Sequence, residues 1–382
     1  MYGGGAGDLA GGDSERTAFR KAEKVYKLYK SSARRSRQKQ SLLRQTDLSG
    51  VVDFAAVLDD FHLGGDPPPG IIRLRCSDFP ASVFCFGDRP GFFFIPGALS
   101  VEEQCRWVRE SLAAFPEPPN RTNHTTIYGP LCGLLDAARR NKFLAEIEAP
   151  PAEGGASPGP IHSPDELGAG AARLPGSWRP WNVDSTAPRH SFVGDGEGRP
   201  CEPLLPALSL LRKLRWSTLG FQFDWSKRSY DVSLPRNEIP PALCSLAKKM
   251  AAPAMPPGEE FRPEAAIVNY FGPSDMLGGH LDDMEADWSK PIVSISLGCK
   301  AVFLLGGKSR EDPPLAMLLR SGDVVLMAGE ARECFHGVPR IFTDAENADV
   351  SSLASLLSGE DDRCLNDYIR TSRVNINIRQ VF

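Results

Sequence analysis

Six short apolar runs in the second half of the chain constrain its fold more than any other feature. They are Ala265 to Phe271, Pro291 to Leu297, Ala301 to Leu305, Met317 to Leu319, Val324 to Met327 and Val374 to Val381. Gly-Pro-Ser-Asp, Gly-Gly-Lys-Ser, Glu-Asp-Pro-Pro and Ser-Gly-Asp stand between them as turn signals. Repeated short strands with such punctuation predict an antiparallel sandwich or jelly roll rather than a parallel α/β sheet. With 41% hydrophobic residues over 382 positions, the chain can bury a real core around them.

Upstream the texture differs. Phe92, Phe93, Phe94 and Ile95 read as a buried strand feeding a helix from near Ser100, where Ser100-x-x-Glu103 forms a capping box. Leu204 to Leu214 has helical periodicity. Residues 150–200 hold nine Pro and nine Gly, which predicts a flexible insert; its Trp178, Trp181 and Phe192 let part of it dock. The expected organisation is a disordered start (1–15), a basic helix (16–45), an extension packing on the core (46–149), the insert, and a main domain (201–382).

Charge is concentrated where the total hides it. The formal net charge is −4, yet residues 20–44 carry ten Lys/Arg against one acid, Glu23. Phe19, Val25, Tyr26, Leu28 and Tyr29 fall among them at roughly helical spacing. Two readings stay open. Arg20, Lys24, Lys27, Arg34, Arg35 and Arg37 could grip nucleic-acid phosphates, with 34–39 serving as a nuclear import signal. Alternatively, the helix packs its aromatics on the main domain and solvates its charges. Nine cysteines without a C-x-x-C pair suit reduced thiols in an intracellular protein. No apolar run approaches ~20 residues, and the N-terminus has no apolar leader segment, so a soluble nuclear or cytoplasmic monomer is expected.

Six histidines are present, and His280 alone stands in an H-x-D triplet, His280-Leu281-Asp282. In an extended segment residues i and i+2 point the same way, so both side chains can converge on one ion. His336 is the only downstream histidine and the only third ligand from that pool. Two imidazoles and a carboxylate leave open positions, as a non-haem Fe(II) oxygenase site requires. By itself the triplet is weak, since a surface His beside an acid is the commoner arrangement. The run Arg373-Val374-Asn375-Ile376-Asn377-Ile378-Arg379 adds weight. Period two sets two guanidiniums and two amides on one face, and buried guanidiniums need anions, either the carboxylates of 2-oxoglutarate or the chain's own acids.

These motifs resemble the AlkB family of Fe(II)/2-oxoglutarate dioxygenases. The shared residues are Asn269-Tyr270-Phe271, His280-x-Asp282, Ser321-Gly322-Asp323, Gly329-Glu330-Ala331-Arg332, His336 and the Arg-x-Asn-x-x-x-Arg strand. The eukaryotic homologue-one branch is the most similar, through Leu214-Arg215-Trp216-x-x-x-Gly220, Ser289-Lys290-Pro291 and Leu304-Leu305-Gly306-Gly307. The resemblance implies an α+β chain with a double-stranded β-helix (jelly-roll) catalytic core and flanking N-terminal helices. It implies Fe(II), 2-oxoglutarate and O₂ as cofactors, and oxidative demethylation of N-methylated bases: N6-methyladenine in DNA or 1-methyladenine in tRNA. Formaldehyde, succinate and CO₂ are the products.

Carried over, His280, Asp282 and His336 hold iron. Arg373 and Asn375 hold the distal carboxylate of 2-oxoglutarate, and Arg379 with Asn269 lies nearer the chelating end. Where many members have a tyrosine, this chain has Phe271, and Tyr270 is the residue that could replace its hydroxyl. Asp283 and Glu285 are the acids nearest the base-contacting position, and Arg332 joins them as a substrate candidate. A recognition lid is expected near 215–240, with Trp216, Trp225 and Tyr230 contacting an unpaired base in single-stranded or stem-loop nucleic acid. A protein hydroxylase or demethylase on the same fold, and a catalytically weak reader of modified nucleic acid, are the alternatives.

Overall fold

The period-two pattern of the C-terminal run becomes a strand with two unlike faces. In the computed structural model of the protein, Val374, Ile376 and Ile378 are fully buried in the core, while Arg373, Asn375 and Asn377 line a cavity on the other side. The structure describes residues 16–27, 47–76, 79–146, 190–194, 205–224, 227–344 and 347–382.

In chain order the strands begin with β1 (Val51–Val52), β2 (Ile71–Leu74), β3 (Val83–Phe86), β4 (Arg89–Ile95), β5 (Phe143–Glu146) and β6 (His190–Val193). Next come β7 (Leu205–Pro206), β8 (Trp216–Gly220), β9 (Gln222–Asp224), β10 (Ser229–Asp231), β11 (Ala265–Phe271) and β12 (Leu277–His280). The series ends with β13 (Ile292–Gly298), β14 (Ala301–Leu305), β15 (Leu315–Leu319), β16 (Val324–Met327), β17 (His336–Ile341) and β18 (Arg373–Arg379). Each of the six expected runs overlaps a strand. Strands β12 and β17 carry too few apolar residues in sequence to stand out, and β12 is half glycine.

Among the described residues the main sheets are eight-stranded (β2-β3-β4-β16-β13-β18-β11-β8) and five-stranded (β1-β15-β14-β17-β12). Neighbours run antiparallel, except that β1 is parallel to β15. From β11 to β18 the chain passes back and forth between the sheets: β11, β13, β16 and β18 in one, β12, β14, β15 and β17 in the other.

Alternating side chains divide the interior into layers. One face of the larger sheet packs Val293, Ile295, Val324 and Ile376 against Val108, Leu112, Leu243 and Ile369 of flanking helices. Its opposite face meets the smaller sheet through Phe92, Phe94, Phe271 and Met327 against Phe303, Met317 and Leu319. Helix α3 (Val101–Ala113), after α2 (Phe54–His62), begins with the expected capping box. Ser100 Oγ accepts the Glu103 N–H at 3.3 Å, and Glu103 Oε2 accepts the Ser100 N–H at 2.8 Å.

The outer face of the smaller sheet is covered by α1 (Ala18–Tyr26), the described part of the expected 16–45 helix. Phe19 is fully buried there with Val302, Leu304 and Leu318. An aromatic at 0% exposure anchors this stretch on the sheet, and Arg20, Lys21 and Lys27 remain exposed. Arg34, Arg35 and Arg37 lie outside the described residues, as do Trp178 and Trp181 of the expected insert. Within that insert, β6 pairs with β5, and Phe192 packs on the main core. Phe19→Ala should cost about 3–5 kcal/mol of stability, the usual range for a buried phenylalanine. Denaturant unfolding checks this, and an unchanged midpoint would count against the anchoring role.

Candidate active site

Strands β12 and β17 are paired so that His280 stands opposite His336. Asp282 follows two residues after the end of β12. Its Oδ1 lies 3.8 Å from His280 Nε2, and its Oδ2 lies 3.7 Å from His336 Nε2. The three donor atoms all fall within 4.8 Å of one another, close enough to share a metal ion. Backbone carbonyls orient the rings: His280 Nδ1 donates to Gly278 O at 2.9 Å and His336 Nδ1 to Cys334 O at 3.3 Å. That tautomer turns the Nε2 lone pairs toward Asp282, as a metal site requires.

The electrostatics suit ligation. Burial first, then the neighbouring His280, pushes the pKa of His336 down to about 4, so its imidazole is neutral near neutrality. Burial opposes ionisation of Asp282, but Arg379 and the two histidines hold its carboxyl well below the usual carboxylate range. Arg379 Nη2 meets Asp282 Oδ2 at 2.9 Å, and Arg379 Nε lies 2.9 Å from Glu285 Oε1. Glu285 Oε2 in turn accepts from Arg332 Nη2 at 2.7 Å. Asp282, Arg379, Glu285 and Arg332 thus form a buried chain of alternating charge, the arrangement in which buried ions can be tolerated.

The same cavity between the sheets reaches Arg373, Asn375 and Asn377 on β18, with Ser294, Phe271 and Phe303 in its walls. Arg373 is buried and donates through Nη2 to Ser296 Oγ at 2.8 Å. Its Nε and Nη1 have no partner among the described residues. Burial lowers its pKa to about 10, partly offset by Asp323. A buried guanidinium in a cavity wall, with two nitrogens unpartnered among the described residues, fits an anionic ligand's carboxylate. Asn375 is held by Ser294 Oγ at 2.9 Å and Ile295 O at 3.1 Å, and receives Asn269 Nδ2 at 3.4 Å. The donor set therefore fits both a divalent metal and a dicarboxylate.

Several expectations need correction. Tyr270 does not replace the family tyrosine. Adjacent strand residues face opposite ways, and its hydroxyl donates to Ser111 O at 2.6 Å and meets Ser217 Oγ at 3.0 Å, inside the helix-side core. Phe271 is the cavity residue. Glu285 and Arg332 are almost wholly buried and paired with each other, and Arg332 Nη2 also donates to Asp282 O at 3.1 Å, so the structure places them beneath Asp282. Trp216 belongs to β8 in the larger sheet, opposite Asn269, and within the region expected to form a lid β9 and β10 pair as a hairpin.

That hairpin leans on the segment that carries Asp282 and Glu285. Tyr230 donates to Glu285 Oε1 at 3.2 Å, and Arg228 Nη2 pairs with Asp283 Oδ1 at 3.2 Å. Burial keeps the Tyr230 phenol protonated. Phe223 is buried against the Tyr230 ring, at 5.2 Å between centroids. Trp225 lies outside the described residues. Arg20 is engaged by Glu23 at 2.7 Å, and Lys24 and Lys27 sit on α1 and at its end.

Sequence reading passed over Ser294 and Ser296, which steady Asn375 and Arg373. The signal was available, since two serines at period two interrupt the apolar run Ile292 to Leu297 on one face. Asn377 shares the polar face of β18 and lines the same cavity, where its Oδ1 has no partner among the described residues.

The model of the 2OG-Fe(II) oxygenase superfamily matches residues 196–379. The chain is 56% identical over 371 residues, 97% of each chain, to the DNA N(6)-methyladenine demethylase ALKBH1A of Arabidopsis thaliana. It is 27% identical over 397 residues to the nucleic acid dioxygenase ALKBH1 of Homo sapiens, covering 95% of this chain and 84% of that one. The tRNA demethylase abh1 of Schizosaccharomyces pombe shares 35% over 198 residues, 50% of this chain and 63% of its own.

Proposed function

Because the chain belongs to the AlkB family of 2OG-Fe(II) oxygenases, we propose that it is an oxidative demethylase of N-methylated nucleobases. The cavity carries this reading: His280, Asp282 and His336 at one part of it, and the under-partnered Arg373 in its wall, suit a metal and a dicarboxylate bound together. The alternation of β11 to β18 between two sheets supports a double-stranded β-helix core.

Bound Fe(II), 2-oxoglutarate and O₂ supply the oxidising chemistry, whose product is an N-hydroxymethyl group that leaves as formaldehyde. The chain's own residues place the reactants. His280, Asp282 and His336 would present one face of ligands to iron. Arg373, steadied by Ser296, would take the distal carboxylate with Asn375. Arg379, itself placed by Glu285, holds Asp282 ionised and oriented. The β9–β10 hairpin, latched through Tyr230 and Arg228, would close over an unpaired base, and the Phe303, Phe271 and Met327 walls exclude water.

Within this reading the substrates are N6-methyladenine in DNA or 1-methyladenine in tRNA. Purified protein with Fe(II), 2-oxoglutarate and oligonucleotides of both kinds should convert the methylated nucleoside to the unmethylated one, read by nucleoside mass spectrometry, with matching release of formaldehyde and succinate. Cosubstrate consumption with both nucleic acids unchanged, or tight binding of methylated nucleic acid without turnover, would overturn it. Among the described residues no helix is long and apolar enough to cross a membrane. A nuclear or cytoplasmic site of action, with the enzyme as a monomer, is part of the proposal.

A further inference from the structure

We propose that Glu23 of the N-terminal helix is a positioning residue for His280, acting through the backbone of Gly279; this rests on the metal site proposed above. Three observations meet at one peptide unit. The β12–β17 ladder pairs Leu277 with Val338 and His280 with His336, so β12 carries one extra residue and the register shifts between them. Such a bulge re-aims the side chain beside it and takes backbone groups out of the ladder.

The released groups are taken up from outside the sheet. The Gly279 N–H donates to Glu23 Oε1 at 2.6 Å, across 256 residues of sequence. The Gly279 carbonyl accepts from Arg310 Nη2 at 2.7 Å. Glu23 is 2% exposed, and its other oxygen accepts from Arg20 Nη1 at 2.7 Å. The ring of Phe19 occupies the space a Cβ on Gly279 would need, so only glycine permits this approach. Phe19 N–H donates to Arg310 O at 3.0 Å, which closes the loop from α1 through Arg310 to Gly279.

A buried carboxylate committed to one backbone amide holds that amide in place, because its loss leaves a buried donor unsatisfied and drives local rearrangement. Gly279 immediately precedes His280, so a shift of that peptide carries the imidazole with it. The basic N-terminal helix is, on this argument, part of the metal site's scaffold.

The test is a titration of the full chain with Co(II), followed through its visible absorption, beside thermal melting of the metal-free protein. Glu23→Gln keeps the acceptor and should bind Co(II) within about threefold of wild type. Glu23→Leu removes it and should weaken binding about tenfold or more, measured well below its melting temperature. Arg310→Met, at an exposed position, frees the other side of Gly279 and should weaken binding in the same direction even if the Leu variant does not fold. A purely structural Glu23 would lower melting temperatures and leave the Co(II) affinity alone. That result, an equal loss in the Gln and Leu variants, or unchanged affinity in Arg310→Met, would overturn the inference. Wild-type protein that fails to bind Co(II) would instead remove the metal site on which it stands.

Discussion

His280→Ala should abolish 2-oxoglutarate turnover while leaving the protein folded. The side chain lines the cavity between the sheets and takes part in no large apolar cluster, so its removal leaves the core packing in place. Two remaining ligands on one side of the ion cannot define a facial site, and metal affinity falls with them. Asp282→Ala should be equally inactive but less stable. Its loss strips Arg379 of one of its two carboxylate partners, leaving only Glu285, and breaking a buried pair costs on the order of 3–5 kcal/mol. Succinate formation and circular dichroism on both variants provide the check. Full turnover in either, with Fe(II) added, would sink the ligand assignment.

Arg373→Ala should raise the 2-oxoglutarate concentration for half-saturation by about thirtyfold to several thousandfold. Truncating one partner of a buried charge pair costs roughly 2–5 kcal/mol, at ~1.4 kcal/mol per decade. The effect on stability should run the other way. This guanidinium is 1% exposed and its Nε and Nη1 have no partner among the described residues, so burying it carries a desolvation cost. Arg373→Met, similar in length and uncharged, should therefore melt at or above the wild-type temperature without cosubstrate and lose the stabilisation that 2-oxoglutarate confers. Half-saturation unchanged in Arg373→Ala would move the anion site elsewhere.

Much of the architecture and the candidate ligands was legible before any coordinates. Strand runs with turn punctuation, the Ser100–Glu103 capping box and the two-faced Arg373–Arg379 segment are local patterns, and the backbone's own geometry makes them readable within a few residues. The misplacement of Tyr270 was avoidable on the same ground. Beside Asn269 on one strand, it cannot share the cavity face, and Asn269 pairs there with Asn375.

What no local pattern carries is which charge meets which. The sequence alone determined that Asp282 lies two residues from His280, that Arg373 and Arg379 share a strand face, and that α1 is basic with aromatics among its charges. Only the tertiary structure decided that Glu285 and Arg332, 47 residues apart, neutralise each other beneath Asp282, and that Glu23 is spent on Gly279. The physical reason is that periodicity follows from dihedral angles fixed residue by residue. A buried ion pair or amide bond instead depends on where two sheets and a helix come to rest, and burial then selects, among many possible partners, the one that leaves no charge exposed to a low-dielectric interior.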